Sequence, residues 1–175
     1  MESKFNKTML AVPYIIGFQL GDPISKQLIA NYTELATGLT DKINQATGGM
    51  FTHNVRTRMH YFTHIIEKNI SNFDQLLVLS IGLDTKFDTL KTLKDKSVFA
   101  IDIEVENIHK IYKDTNLKTN VTTVYGNLSN IENDVIDNLI ANGFDTTKKT
   151  FIVWEGGTFY IEKSKVLSSI LFLKS

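Results

Sequence analysis

Four short segments hold the residues best suited to chemistry: Ser80-Ile81-Gly82-Leu83-Asp84-Thr85, Asp102, Gly126-Asn127-Leu128-Ser129 and Glu155-Gly156-Gly157. Each offers a carboxylate or an amide, and three offer glycine. A glycine lets backbone pass close to a ligand with no Cβ in the way. A carboxylate about twenty residues after it can accept hydrogen bonds from ribose hydroxyls, which suits Asp102. Asn127 presents an amide beside a backbone N–H, a pair able to read a purine edge. Taken singly, Asp102 is as readily a helix N-cap and Gly82 as readily a strand terminus. The ordered set carries more weight than any member.

The set gains meaning from the elements that must hold it. Gln75–Ile81, Val98–Ile103, Val121–Tyr125 and Thr150–Trp154 read as strands, and the first, second and fourth are nearly continuous in apolar residues. Such runs suit parallel strands covered on both faces. Helical patterns alternate with them near Phe87–Leu93, Val105–Tyr112, Ile131–Asn142 and Glu162–Lys174, which predicts right-handed βαβ units. All four polar segments then fall at carboxyl ends of strands, where open parallel sheets bind ligands. Before residue 70 the spacing is helical, with breakers at Gly21-Asp22-Pro23, Gly38 and Gly48-Gly49. Asp22 can cap a helix whose first turn holds Pro23. A second helix is expected from about Val55 to Asn69.

Composition narrows the class. The chain has 175 residues, 42% hydrophobic, with 19 basic and 19 acidic side chains and no cysteine. Zero net charge argues against a nucleic-acid binder. The lack of cysteine removes disulfides, thiolate metal sites and cysteine nucleophiles, and it fits a cytoplasmic protein. Lys4 and Lys7 precede an apolar stretch, Met9 to Leu20, but Pro13 and Gly17 interrupt it. It reads as a packing segment, too short to span a membrane. His60, His64 and Glu67 have a metal-capable spacing on one helix; imidazoles beside an aromatic face more often pack, so no metal is expected. Neither G-x-G-x-x-G nor a P-loop occurs, and Asp84 stands where a pyrophosphate would be repelled. A nucleoside with a non-phosphate tail fits better, and S-adenosylmethionine has that shape.

These residues match a known pattern. Leu79-Ser80-Ile81-Gly82-Leu83-Asp84-Thr85-Lys86 resembles the "LGAGLDTR" signature of the leucine carboxyl methyltransferase family of S-adenosylmethionine-dependent O-methyltransferases. Arg58-Met59-His60-Tyr61-Phe62 resembles its arginine motif, Phe99-Ala100-Ile101-Asp102 its "EVD" strand end, and Trp154 to Tyr160 its "AEGxxxYL" segment. The resemblance implies a Rossmann-like class I methyltransferase sheet. It divides the chain into a helical segment (1–70) packing on an S-adenosylmethionine-binding region (71–175). It further implies that Arg58 pairs with the cofactor's carboxylate. Gly82 would pass beneath the ligand, Asp102 would hold the ribose, Asn127 and the Leu128 N–H would read adenine, and Glu155 would face the methionine end. Arg56 is the weaker alternative to Arg58, because only Arg58 brings Tyr61-Phe62 into register. The implied reaction is methyl transfer to a carboxylate or hydroxyl oxygen.

The departures are specific. Ser80 replaces the family's first glycine, Asn127 its aspartate, and Lys86 its arginine; Thr63 and His64 stand at its acid positions. The family continues past the position of Ser175, so about four strands and no substrate half are expected, with the fourth strand an open edge. That edge and the apolar run Val166–Leu173 predict self-association or marginal folding. The competing reading is an inactive homologue that binds a nucleoside or oligomerises.

Overall fold

The structure is a computed structural model that describes residues 7–131 and 133–174; Lys4 and Ser175, named above, lie outside them. The chain divides into two compact units: Met1–Lys68 with Gly82–Leu90 and Glu106–Thr119, and Asn69–Ile81 with Lys91–Val105 and Asn120–Ser175.

The second unit holds the sheet: β1 (Gln75–Leu79), β2 (Ser97–Asp102), β3 (Val121–Tyr125) and β4 (Thr150–Val153). All pairings are parallel, in the order β3-β2-β1-β4. The chain builds outward from β1 to β3, then returns to the other side of β1, so the switch point lies between β1 and β4. Every residue of β1 is buried, and of β2 all but Ser97. Both faces are therefore covered, as the continuous apolar runs require. On one face Leu77, Leu79, Phe99, Ile101 and Val124 pack with Leu128, Val135 and Leu139. The base of β1 is fixed by Gln75, whose amide donates to Asp145 O (2.7 Å) and Thr150 Oγ1 (2.8 Å) and accepts from Asp145 N–H (3.2 Å). This buried amide is satisfied on both sides, so it costs little.

The first unit is helical: α1 (Ala11–Tyr14), α2 (Pro23–Leu28), α3 (Thr33–Ala46), α4 (Met50–Lys68), α5 (Lys86–Thr89) and α6 (Val105–Asp114, of which Val105 belongs to the sheet unit). Asp22 caps α2 as expected, its Oδ2 accepting from Ser25 N–H at 2.8 Å beside Pro23. The packing centre is Ile15, Ile16 and Val55, with Val12, Tyr14, Phe51 and Met59 around it. Completing the sheet unit are α7 (Asn133–Ala141) and α8 (Lys163–Lys174). Ser169, 2% exposed, turns one face of α8 inward, whereas Leu167 and Leu171 are 52% and 69% exposed.

Three expectations need correction. Gly38 does not break the chain; it lies inside α3, tolerated at about 1 kcal/mol relative to alanine. The second helix starts five residues before Val55, at Met50. Its first free N–H groups find side chains, Phe51 N–H on Thr47 Oγ1 (3.2 Å) and Thr52 N–H on Asn44 Oδ1 (3.1 Å), which lets the helix begin straight after Gly49. β1 stops at Leu79 rather than Ile81, because Ser80 turns into the left-handed region (φ 60°). Among the described residues no helix is long and apolar enough to cross a membrane.

Candidate functional site

The strand ends of the sheet unit form one row. Asp102 pairs with Tyr125, and Leu79 with Ile101, so Ser80 is level with Asp102. Val78 pairs with Val153, the last residue of β4, and Glu155 follows two residues later. The row Tyr125, Asp102, Ser80, Glu155 crosses the switch point, with neighbouring strands about 4.8 Å apart.

Asp102 ends β2 and is 5% exposed. Its Oδ1 accepts from Glu104 N–H at 2.8 Å, and its carbonyl accepts from Gly126 N–H at 3.2 Å. Asp102 is thus the last residue of β2, and its side chain closes a turn ahead of α6 rather than capping that helix. Gly126 has no room for a side chain, since a Cβ there would lie 2.5 Å from Ile101 Cγ2 and 2.9 Å from Val135 Cγ1. Asn127 follows, exposed, with Oδ1 accepting from Ser129 N–H at 2.9 Å. Leu128 is buried, and its carbonyl accepts from the Ser169 hydroxyl at 2.8 Å. That bond ties the loop after β3 to α8.

The other two strand ends are built differently. Ser80 takes φ 60°, a conformation that suits the glycine it replaces and costs a side chain about 1–2 kcal/mol. Gly156 and Gly157, after the half-buried Glu155, take φ 77° and 76°. A Cβ on Gly157 would come within 2.8 Å of Ser80 Oγ, so this glycine makes room for the serine. Beside them Trp154 Nε1 is buried and, among the described residues, has no hydrogen-bond partner.

In the helical unit, Arg58 is half-buried on α4, and its Nη1 donates to Asn54 Oδ1 at 3.2 Å. Gly82 has φ 54° and nothing within 4 Å of where a Cβ would stand. Asp84, noted above as repelling phosphate, is paired: its Oδ2 lies 2.9 Å from Lys86 Nζ, and its Oδ1 accepts from Lys86 N–H at 3.0 Å. Thr85 donates to Asp22 Oδ2 (3.0 Å) and meets Ser25 Oγ at 2.6 Å. A second knot joins α5 to α6, where Asp88 accepts from Tyr112 OH and Thr119 Oγ1, each at 2.9 Å. Burial, then the neighbouring Asp88 charge, pushes the Tyr112 phenol well above its ordinary value. His60, His64 and Glu67 are all exposed rather than packed. Among the described residues no group of three or more His, Cys, Asp or Glu side chains could hold a metal.

Residues 19–172 match the family model of leucine carboxyl methyltransferase. The chain belongs to the leucine carboxyl methyltransferase family. Comparison with curated proteins gives no match. Leucine carboxyl methyltransferases are S-adenosylmethionine-dependent, and the four-stranded parallel sheet with its helices is the Rossmann-like α/β class that the motifs imply. The residues present suit that cofactor. Gly82 leaves its Cβ space open, and the donors and acceptors of Asp102 and Asn127 match hydroxyls and a purine amine. Sequence reasoning did not anticipate the contact of Ser80 with Gly157, the unpartnered Trp154 nitrogen, or the Asp84–Lys86 pair. The replacement of a motif glycine by Ser80 was the one available signal for the first.

Proposed function

We propose that this chain is a methyltransferase that binds S-adenosylmethionine and directs its methyl group to an oxygen, most simply a carboxylate. The observation that carries the reading is the nearly buried Asp102 carboxylate at the end of β2, beside the switch point. Residues 71–175 form the cofactor-binding region in this reading, and residues 1–70 the helical segment. Asp102 accepts from the ribose hydroxyls. Asn127 and Leu128 N–H read adenine, Gly82 gives clearance, Glu155 meets the ammonium of the methionine end, and Arg58 meets its carboxylate. When bound, S-adenosylmethionine supplies an electrophilic methyl group on a sulfonium. A carboxylate acceptor is ionised at neutral pH, so the chain needs no general base. Its residues act by alignment and by exclusion of water, and turnover is expected to withstand chelators. Calorimetry with S-adenosylmethionine, S-adenosylhomocysteine and NAD tests the reading: heat from NAD alone would reject it.

A second reading has its own observation. Ser80 adopts a glycine conformation at a motif glycine, and this strain favours an inactive homologue that keeps nucleoside binding. The free edge of β4 would then serve a second copy of the chain. Tight binding without turnover, with a dimer mass by light scattering, is the expected signature.

A further inference from the structure

We infer that Lys86 is a positioning residue for Arg58, an inference that rests on the reading of Arg58 as the partner of the cofactor's carboxylate. Lys86 is 2% exposed, far deeper than lysines usually lie. Its Nζ is 2.9 Å from Asp84 Oδ2, and the two side chains are 1% and 11% exposed. Burying two charges is costly, and a well-packed apolar pair often serves stability as well. Stability alone therefore does not account for the pair, and its surroundings suggest a geometric role.

The base of Lys86 is rigid. Asp84 accepts from the Lys86 N–H at 3.0 Å, and Thr85 is fixed by Asp22 Oδ2 (3.0 Å) and Ser25 Oγ (2.6 Å). From this loop the ammonium faces two rings, those of Phe87 at 5.1 Å and Phe62 at 5.7 Å from the centroids. Phe87 is its chain neighbour, but Phe62 belongs to α4. Asn54, Arg58 and Phe62 recur every fourth residue and share one stripe of that helix. Arg58 is hydrogen-bonded to Asn54 one turn back, and the ring one turn ahead is the one that Lys86 holds. Lys86 thus passes the rigidity of the Asp22–Ser25–Thr85 knot to the stripe that carries Arg58.

The test uses two ligands that differ by the amino-acid end, which bears the carboxylate. S-adenosylhomocysteine carries it; 5′-methylthioadenosine lacks the amino-acid end. Calorimetry is run on the full chain, on Lys86→Arg, on Arg58→Ala, and on Asp84→Asn/Lys86→Met, which leaves no lone buried charge. The double variant should lose about tenfold in affinity for S-adenosylhomocysteine and keep its affinity for 5′-methylthioadenosine. Arg58→Ala should show the same selectivity, and adding the double variant to it should cost little more. Lys86→Arg should restore most of the loss. Equal weakening for both ligands would mean a general structural role and would overturn the inference, as would no weakening at all. If the unaltered chain binds neither ligand, the proposed function itself fails and the inference with it.

Discussion

The loops after β2 and β3 and the loops after β1 and β4 are two halves of one row, and they are built on opposite principles. At Asp102 and Asn127 the side-chain oxygens accept relaxed turn bonds from Glu104 and Ser129 N–H at 2.8 and 2.9 Å, and the glycine at 126 is demanded by close packing. At Ser80 and Gly157 the backbone is left-handed at both positions, a side chain fills the space of a missing Cβ, and an indole N–H is buried with no partner among the described residues. An unmet buried donor costs about 1–3 kcal/mol. The difference separates two tasks. In the proposed reading the relaxed half holds the ribose and the base without rearrangement, whereas strain of the other kind concentrates where geometry serves function. Methyl transfer, in the proposed reading, happens beside the strained half.

The largest effect should come from breaking that half. Gly157→Ala adds a left-handed side chain and a contact of 2.8 Å with Ser80 Oγ, so stability should fall by about 2–4 kcal/mol in urea titrations. In a Ser80→Gly background the steric part should vanish, leaving the backbone cost alone. Additive losses would show that the two residues are not coupled. Ser80→Gly by itself should stabilise by about 1 kcal/mol.

The relaxed half should break in binding rather than in folding. Asp102→Ala should weaken S-adenosylhomocysteine by about 1.5–3 kcal/mol, the range for hydrogen bonds to a charged group. Stability should drop by only about 1 kcal/mol, for the lost acceptor of Glu104 N–H. A large loss of stability with unchanged affinity would make Asp102 a structural turn residue alone.

The same contrast explains what the sequence made legible. Apolar runs such as QLLVL and VFAID announce covered parallel strands, because burial on both faces is a property of each run by itself. Asp102 and Asn127 were legible for the same reason, as polar residues placed where such runs stop. Gly38 was misread since helix α3 is held by its packing, which outweighs one weak residue. The fit of Ser80 against Gly157 lies across residues 77 apart in the chain, and no local pattern encodes it. Nor does local spacing reveal that Lys86 is buried, since lysine two residues from an aspartate usually marks a solvated turn.

A control in the helical unit separates global from local effects. Tyr112→Phe removes the phenol that donates to Asp88 at 2.9 Å, at an expected cost of about 1–2 kcal/mol. The phenol's value is raised in the folded chain, first by burial and then by the Asp88 charge. Its contribution is thus full below about pH 10, the unfolded value, and is lost as pH rises beyond it. Alkaline titration of stability should show this loss in the unaltered chain and a smaller one in Tyr112→Phe. Tyr112→Phe should not change which ligands bind at neutral pH.

The smallest effect tests the relaxed half most finely. Asn127→Asp keeps the oxygen that accepts from Ser129 N–H at 2.9 Å and restores the acid of the family pattern. Because the side chain is exposed, the added charge costs little, and stability should change by less than about 0.5 kcal/mol. If the amide oxygen reads the exocyclic amine of adenine, a carboxylate accepts the same hydrogen bond with more strength. Affinity for 5′-methylthioadenosine should therefore hold or rise slightly, and an inosine analogue, which has no amine to donate, should gain nothing. Isothermal titration of both ligands decides it. A marked loss for the adenine ligand would mean that the amide N–H₂ is the recognising group, which would reverse the direction of the contact and leave the backbone N–H of Leu128 to carry the rest.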